Sequence, residues 1–182
     1  MGNSYLFLAD GFEEVEALTT VDLLRRAEIP LKTVSIGTTS EVTGAHEIRV
    51  IADLMFKEVS FDEADMIILP GGMPGTKNLE NFKPLMDKVD EFARKGKNIA
   101  AICAAPTVLG RRGILKGRKA CCYPNMEGDL LEAEVSYENA VTDNNIITGR
   151  GVGCAIDFSL EIIKKLKGEE TAKAISKGIV YK

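Results

Sequence analysis

The stretch Ile102-Cys103-Ala104 places a thiol at the change from a buried strand to a helix. Ile99 to Ile102 is a continuous apolar run typical of a central strand, and Pro106 suits the first turn of the helix that follows. Free backbone N–H groups and the positive end of a helix dipole stabilise a thiolate at such a turn. Such a turn would lower the pKa of Cys103 and make it a better nucleophile. A buried structural cysteine is the alternative, and position alone does not decide between the two.

An acidic cluster opens a predicted helix and offers a partner for this thiol. We expect Glu13 and Glu14 to be solvated in the first helical turn, where the dipole favours negative charge. Glu16 lies just before the apolar stripe that includes Ala17-Leu18, so it can tip toward the sheet edge. An ionised carboxylate beside a thiolate would be repelled, so Glu16 is predicted to be largely protonated and to donate a hydrogen bond to the Cys103 sulfur.

A glycine-rich loop, Pro70-Gly71-Gly72, follows the apolar run from Met66 to Leu69. Its glycines allow a backbone to approach closely and to donate N–H bonds to an oxyanion. Because ligands bind outside the carboxyl ends of parallel strands, the loops that leave Ala9, Leu69 and Ile102 converge on one sheet edge. This convergence favours a nucleophilic Cys103.

Apolar runs alternate with amphipathic stretches along the whole chain, which is typical of strands and helices around a mostly parallel sheet. The predicted fold is a three-layer α/β sandwich with helices on both faces, formed as a single domain over residues 1–182. The predicted strands are 5–9, 31–36, 66–69, 99–102 and 118–122, with short strands near 47–52 and around a turn at 143–145. The predicted helices are 13–27, 78–95, 104–112, 154–166 and 169–177.

Composition excludes several classes of partner. The 182 residues include 23 basic and 27 acidic side chains, for a net charge of -4, and no basic stripe indicates nucleic-acid binding. No segment has transmembrane length, and the N-terminus lacks a signal-peptide pattern, so we expect a cytoplasmic protein without membrane contact. The segment Gly149 to Gly153 lacks dinucleotide-binding spacing, and no Cys-x-x-Cys or paired His supplies metal-ligand spacing. We therefore expect neither a cofactor nor a metal.

The remaining thiols and the single histidine are weaker candidates for chemistry. His46 is expected to be an exposed loop residue, so a Cys-His-acid triad is not expected. Cys121 and Cys122 alternate across a predicted strand, so one should be buried and the other could face outward. Cys154 is expected to begin a packed helix.

Motifs spread along the chain resemble those of the ThiJ/PfpI superfamily, in its DJ-one-like branch. They are Asp10 to Glu16, Val21 to Ala27, Leu69 to Gly72, Ala100 to Thr107, Tyr123-Pro124 and Thr148 to Gly151. The resemblance implies a flavodoxin-like sandwich of the class I glutamine amidotransferase type, usually a homodimer. It also implies that Cys103 is the elbow nucleophile, that Glu16 is its protonated partner, and that Gly72 and Ala104 donate backbone N–H groups.

The resemblance also implies a function in carbonyl and oxidative stress protection. It indicates a cofactor-independent enzyme, either a glyoxalase III-like lyase or a deglycase-like hydrolase, that acts on 2-oxoaldehydes such as methylglyoxal or on their protein adducts. A redox-sensing protective protein or chaperone that uses oxidation of Cys103 is the alternative. An intracellular cysteine peptidase or amidase ranks below both, because Ala104 stands where the protease branch has His. Tyr123 replaces a His common in the DJ-one-like branch, and its hydroxyl could orient a substrate.

Overall fold

The computed structural model of the protein describes residues 2–181, so Met1 and Lys182 of the predicted domain lie outside the described residues. The strands are β1 Asn3–Leu8, β2 Leu31–Ser35, β3 Glu41–Thr43, β4 Arg49–Ile51, β5 Leu54–Met55, β6 Ala64–Leu69, β7 Asn98–Ile102, β8 Lys119–Ala120, β9 Glu134–Val135, β10 Ala140–Asp143 and β11 Ile146–Gly149. The helices are α1 Glu14–Arg26, α2 Gly75–Asn81, α3 Lys83–Arg94, α4 Ala105–Arg111, α5 Ala155–Lys167 and α6 Glu169–Gly178.

Seven strands form one sheet in the order β10-β11-β7-β6-β1-β2-β5, in which only β10 runs antiparallel to its neighbour. The sheet extends from β1 through β2 on one side and through β6 and β7 on the other. The order in which the chain adds strands therefore reverses between β1 and β6. The crevice outside their carboxyl ends is the place where open α/β sheets bind ligands.

Side chains of β1 alternate between the two faces of the sheet and so between two hydrophobic cores. Leu6 and Leu8 pack with buried residues of α1, α5 and α6, whereas Tyr5 and Phe7 pack with buried residues of α2, α3 and α4. This alternation is the period of two expected of a strand covered on both faces. The three-layer sandwich predicted from the sequence is thereby confirmed. Within residues 2–181, the helices are all too short or too polar to cross a membrane.

Two predicted elements differ from the structure. The helix predicted over 78–95 is two helices, α2 and α3, separated at Phe82. Pro84 lies in the first turn of α3, and its missing N–H cannot continue the hydrogen-bond ladder of α2. The strand predicted over 118–122 is shortened to β8, which pairs with β9 in a separate ribbon outside the main sheet.

Candidate active site

Cys103 lies directly between β7 and α4 in a strained backbone conformation. Its φ is +65°, a left-handed value that few non-glycine residues adopt. The Cys103 N–H donates to the Gly149 carbonyl at 2.9 Å, and the Cys103 carbonyl accepts from the Tyr123 N–H at 2.8 Å. Two other segments therefore hold the turn in place, as strained residues at functional sites require. The residue is 8% exposed, so only a small part of it reaches solvent.

Glu16 and Cys103 meet across the backbone of Gly71. The Glu16 side chain is fully buried, and its Oε2 accepts the Gly71 N–H at 2.9 Å. The carboxyl and the Cys103 thiol lie next to each other at Gly71, and each shifts the pKa of the other. A Cβ at position 71 would lie 2.6 Å from Cys103 Cβ and 2.7 Å from Glu16 Oε2, so only glycine fits there. Glu16 Oε1 has no hydrogen-bond partner in the described part of the chain, which leaves it free to carry a proton.

The pKa values of this pair are shifted mainly by loss of hydration. Burial raises the pKa of Glu16 to about 7, against the lowering effect of the Cys103 and Gly71 hydrogen bonds. This direction agrees with the predicted protonation of Glu16. Burial, and then the negative charge of Glu16, raise the pKa of Cys103 to about 12. The prediction of a lowered thiol pKa is therefore wrong for the unreacted site, because loss of hydration outweighs the stabilisation by the helix end.

Two backbone amides lie at the Cys103 sulfur. The N–H groups of Ala104 and Gly72 hydrogen bond to the thiol, and both lower its pKa. Gly72 has a φ of +90°, and a Cβ there would lie 2.4 Å from the Glu13 nitrogen. The conformation and the crowding both require glycine. The amides predicted to act as oxyanion donors are thus placed at the sulfur, and their role in a reaction stays a prediction.

Tyr123 lies at the rim of the same site. Its N–H bonds to the Cys103 carbonyl, and its ring covers Gly151, where a Cβ would be 3.3 Å from Tyr123 Cδ2. The residue is 49% exposed. The ring is therefore accessible next to the elbow, while contact of its hydroxyl with a substrate stays a prediction.

His46 is exposed, as predicted, and its ring faces glutamates of the first helical turn. His46 Nδ1 lies 2.8 Å from Glu14 Oε2 and 3.7 Å from Glu13 Oε1. The prediction that Glu14 is solvated is wrong, because the loop around His46 folds over it and leaves it 3% exposed. The backbone N–H of His46 donates to Glu14 Oε1 at 2.7 Å. Sequence reasoning missed this contact because its residues are 32 positions apart and share no periodic pattern.

The other three cysteines are not part of the elbow turn, and all four thiols of the chain are free. Cys121 and Cys122 are both buried, so neither side chain faces outward. Strand β8 ends before them, and the Cys121 N–H instead bonds to Thr148 Oγ1 at 3.0 Å. Burial raises their pKa values to about 11 and about 12, respectively. Cys154 is partly buried at the start of α5, as expected.

The fold and this site define a class of protein, a parallel α/β sandwich in which a strained cysteine turn faces a buried glutamate. The chain belongs to the DJ-1/PfpI family, whose sequence profile matches residues 4–165. Drosophila melanogaster protein dj-1beta is 33% identical over 180 residues, which are 98% of this chain and 96% of that protein. The crystal structure of Drosophila DJ-1beta superposes with a TM-score of 0.92 and covers both chains completely. The flavodoxin-like architecture implied by the family resemblance is thus confirmed.

Other relatives have names that state an activity. The Caenorhabditis elegans glutathione-independent glyoxalase DJR-1.2 is 33% identical over 91% of this chain and 88% of its own length. A Pyrococcus abyssi deglycase is 34% identical over 87% of this chain and 96% of its own length. The structure of oxidized Toxoplasma gondii DJ-1 is 32% identical, has a TM-score of 0.94, and covers 100% of this chain and 99% of its own. The chain spans only 39% of another relative, DJ-1 homolog B of Arabidopsis thaliana, which is 33% identical over 93% of this chain.

Proposed function

We propose that the protein is a cofactor-independent cysteine enzyme that acts on small 2-oxoaldehydes such as methylglyoxal, or on their adducts with proteins. The observation that carries this proposal is the contact between the strained Cys103 thiol and the buried Glu16 carboxyl. The relatives named glyoxalase and deglycase support the same class of reaction. A peptidase is not proposed, because Ala104 supplies no imidazole next to the thiol.

The first step is addition of the Cys103 sulfur to the aldehyde carbon of methylglyoxal. Because the pKa of Glu16 is about 7, part of the protein holds it as a carboxylate near neutral pH. In that form Glu16 accepts the thiol proton, and the resulting carboxylic acid then protonates the former aldehyde oxygen. A neutral hemithioacetal forms. The amides of Gly72 and Ala104 stabilise the negative charge on the sulfur as its proton leaves. We expect the same amides to reach the oxyanion that develops on the carbon bonded to that sulfur.

The later steps need one group that can both accept and donate a proton. Glu16 removes the proton from the former aldehyde carbon and returns a proton to the neighbouring carbon. The hydroxyl proton moves to the ketone oxygen, which gives a thioester of the hydroxy acid. Water then cleaves the thioester, releases lactate and restores the Cys103 thiol. A carboxyl with a pKa of about 7 exchanges protons readily near neutral pH, which suits this role.

Release of lactate from methylglyoxal by the purified protein tests the proposal. We expect wild-type protein to form lactate and Cys103→Ser to lose at least about 100-fold in rate. Cys154→Ser is the matched control, because that thiol lies at the start of α5 rather than at the elbow turn. Failure of wild-type protein to form lactate, where a glyoxalase of the family does so, would contradict the proposal.

A redox-sensing protective protein or chaperone is the second candidate function. Peroxide would convert the Cys103 thiol to a sulfenic acid with release of water, and a second peroxide would give a sulfinic acid. Hydrogen bonds from protonated Glu16 and the site amides would hold either product. The solved structure of Toxoplasma gondii DJ-1 is of an oxidized form, which supports this second candidate. Mass spectrometry after mild peroxide should find the added oxygen on Cys103, and oxidation confined to Cys121 or Cys122 would contradict it.

We also propose that the protein is a homodimer and that α1 lies in its interface. Val15 and Leu18 on α1 are 49% and 40% exposed, although the sequence places Leu18 in the apolar stripe. Ile51 on β4 is 69% exposed. Large apolar side chains at the surface are often covered by a partner, and the family resemblance implies a dimer.

Four free thiols suit a reducing compartment such as the cytoplasm.

A further inference from the structure

We propose that Glu13, Glu14 and His46 form a binding site for one divalent transition-metal ion such as Zn²⁺. One ligand atom from each residue lies within 4.8 Å of the other two. This cluster is separate from the thiol, because the Glu14 carboxylate faces the loop around His46 whereas Glu16, two residues later, faces Cys103. The site goes beyond the proposed aldehyde chemistry, which needs no metal.

The distances within the cluster are close to those that a metal ion requires. The Nδ1 atom of His46 is 2.8 Å from Glu14 Oε2 and 3.7 Å from Glu13 Oε1. Zn²⁺ binds N and O ligands at about 2.0–2.2 Å in a tetrahedron, so its ligands are separated by about 3.3–3.6 Å. The observed separations bracket this range, and small side-chain rotations would equalise them. Nδ1 would bind as a lone pair, with the ring proton on Nε2.

The ligand types select among metal ions. One imidazole nitrogen with two carboxylate oxygens suits Zn²⁺, Co²⁺ or Ni²⁺, whereas Mg²⁺ and Ca²⁺ prefer oxygen ligands alone. The His46 side chain is 67% exposed, so water can complete the coordination.

Charge in the cluster also favours a cation. Across residues 2–181, neither Glu13 nor Glu14 forms an ion pair with a lysine or arginine, and His46 is the partner of both. Two carboxylates therefore share one imidazole. A divalent ion would supply the positive charge that the surrounding side chains do not.

The two segments that carry the ligands are already fixed to each other. The Ala45 N–H donates to the Phe12 carbonyl at 2.8 Å, and the His46 N–H donates to Glu14 Oε1 at 2.7 Å. Gly44 packs so closely that a Cβ there would lie 2.2 Å from Glu14 Oε1. The ion would thus bind between two segments that need little rearrangement.

Calorimetric titration of metal-free protein with ZnCl₂ tests the site, and it is done in Cys103→Ser protein so that the thiol cannot bind zinc. We expect one equivalent of Zn²⁺ to bind and to raise the melting temperature. His46→Gln should weaken binding by at least about tenfold, and Glu13→Gln should also weaken it. Glu47→Gln is the matched control, because this exposed neighbour lies outside the cluster.

Co²⁺ absorption identifies the ligands independently of affinity. We expect the spectrum of nitrogen and oxygen coordination in Cys103→Ser protein and its loss in His46→Gln. Absence of binding in Cys103→Ser protein would overturn the site, as would binding that His46→Gln leaves unchanged. Loss of lactate formation in Cys103→Ser does not affect this test, so the two proposals fail separately.

Discussion

The Cys103 thiol and the Glu16 carboxyl lie together in a buried site in which only glycine fits at position 71. One backbone N–H, from Gly71, fixes the carboxyl, and two others, from Gly72 and Ala104, reach the sulfur. Glu16 lies in the first turn of α1 and Cys103 lies just after β7, 87 positions later in the sequence. The carboxyl ends of β1 and β7 bring the two residues to one crevice. The geometry of this pair depends on backbone groups as much as on the two side chains.

Gly71→Ala should separate the thiol from the carboxyl. The added Cβ would lie 2.6 Å from Cys103 Cβ and 2.7 Å from Glu16 Oε2, so one of these groups must move. We expect lactate formation to fall at least about tenfold and the free energy of unfolding to fall by about 1–3 kcal/mol. Gly128→Ala is the control, because a Cβ there meets nothing within 4 Å. Equal activity of the two variants would show that the tight contact is not needed.

Ionisation of Glu16 should destabilise the fold as pH rises. Burial raises its folded-state pKa from 4.5 to about 7, so its stabilising effect is complete below pH 4.5 and is lost as pH rises through 7. The shift corresponds to about 3 kcal/mol. Glu16→Gln cannot ionise, so its stability relative to wild type should increase between about pH 5 and pH 8 in denaturant titrations. Glu170→Gln changes an exposed carboxyl, so its stability should depend on pH in the same way as that of wild type. If the stability of Glu16→Gln also followed wild type with pH, the raised pKa of Glu16 would be contradicted.

Asp53 should stabilise the fold at neutral pH and lose this effect in acid. Burial alone would raise its pKa, but N–H and O–H bonds from Thr33, at 2.8 and 3.0 Å, and the charge of Arg25 lower it overall. A lowered carboxyl pKa gives stability that is present above about pH 4 and lost as pH falls. We expect Asp53→Asn to reduce the free energy of unfolding by about 1 kcal/mol at pH 7 and by less at pH 3, because solvent screens this exposed carboxylate. A loss that does not depend on pH would contradict the ionic role.

Charge on the exposed face of α1 should disrupt the proposed dimer. Val15→Glu and Leu18→Glu each place a carboxylate on an apolar surface, and a buried unpaired charge opposes association. Analytical ultracentrifugation should find a dimer for wild type and a shift toward monomer for both variants. Leu131→Glu changes a residue that is 48% exposed between β8 and β9, away from α1 in the chain, and it should remain dimeric. A monomeric wild-type protein would refute the dimer itself, and dimeric variants would exclude this face.

The layers of the fold and the convergence of three loops could be predicted from the sequence. Apolar runs such as Met66 to Leu69 identify buried strands, and parallel strands bring their carboxyl ends together. The pKa of Cys103 could not be predicted in the same way, because loss of hydration depends on how tightly the neighbouring segments pack. The contact between Glu14 and His46 also had no local signal, since a loop folds over a helix start from 32 residues away.

The most direct test of the shared role of Cys103 and Glu16 is mass spectrometry of Glu16→Gln protein quenched during reaction with methylglyoxal. The carboxamide of this variant can accept neither the thiol proton nor the carbon-bound proton. We therefore expect less methylglyoxal adduct on Cys103 than in wild-type protein quenched in the same way, and lactate formation reduced at least about 100-fold. Adduct and lactate formation by Glu16→Gln at the wild-type level would contradict the proposed pairing.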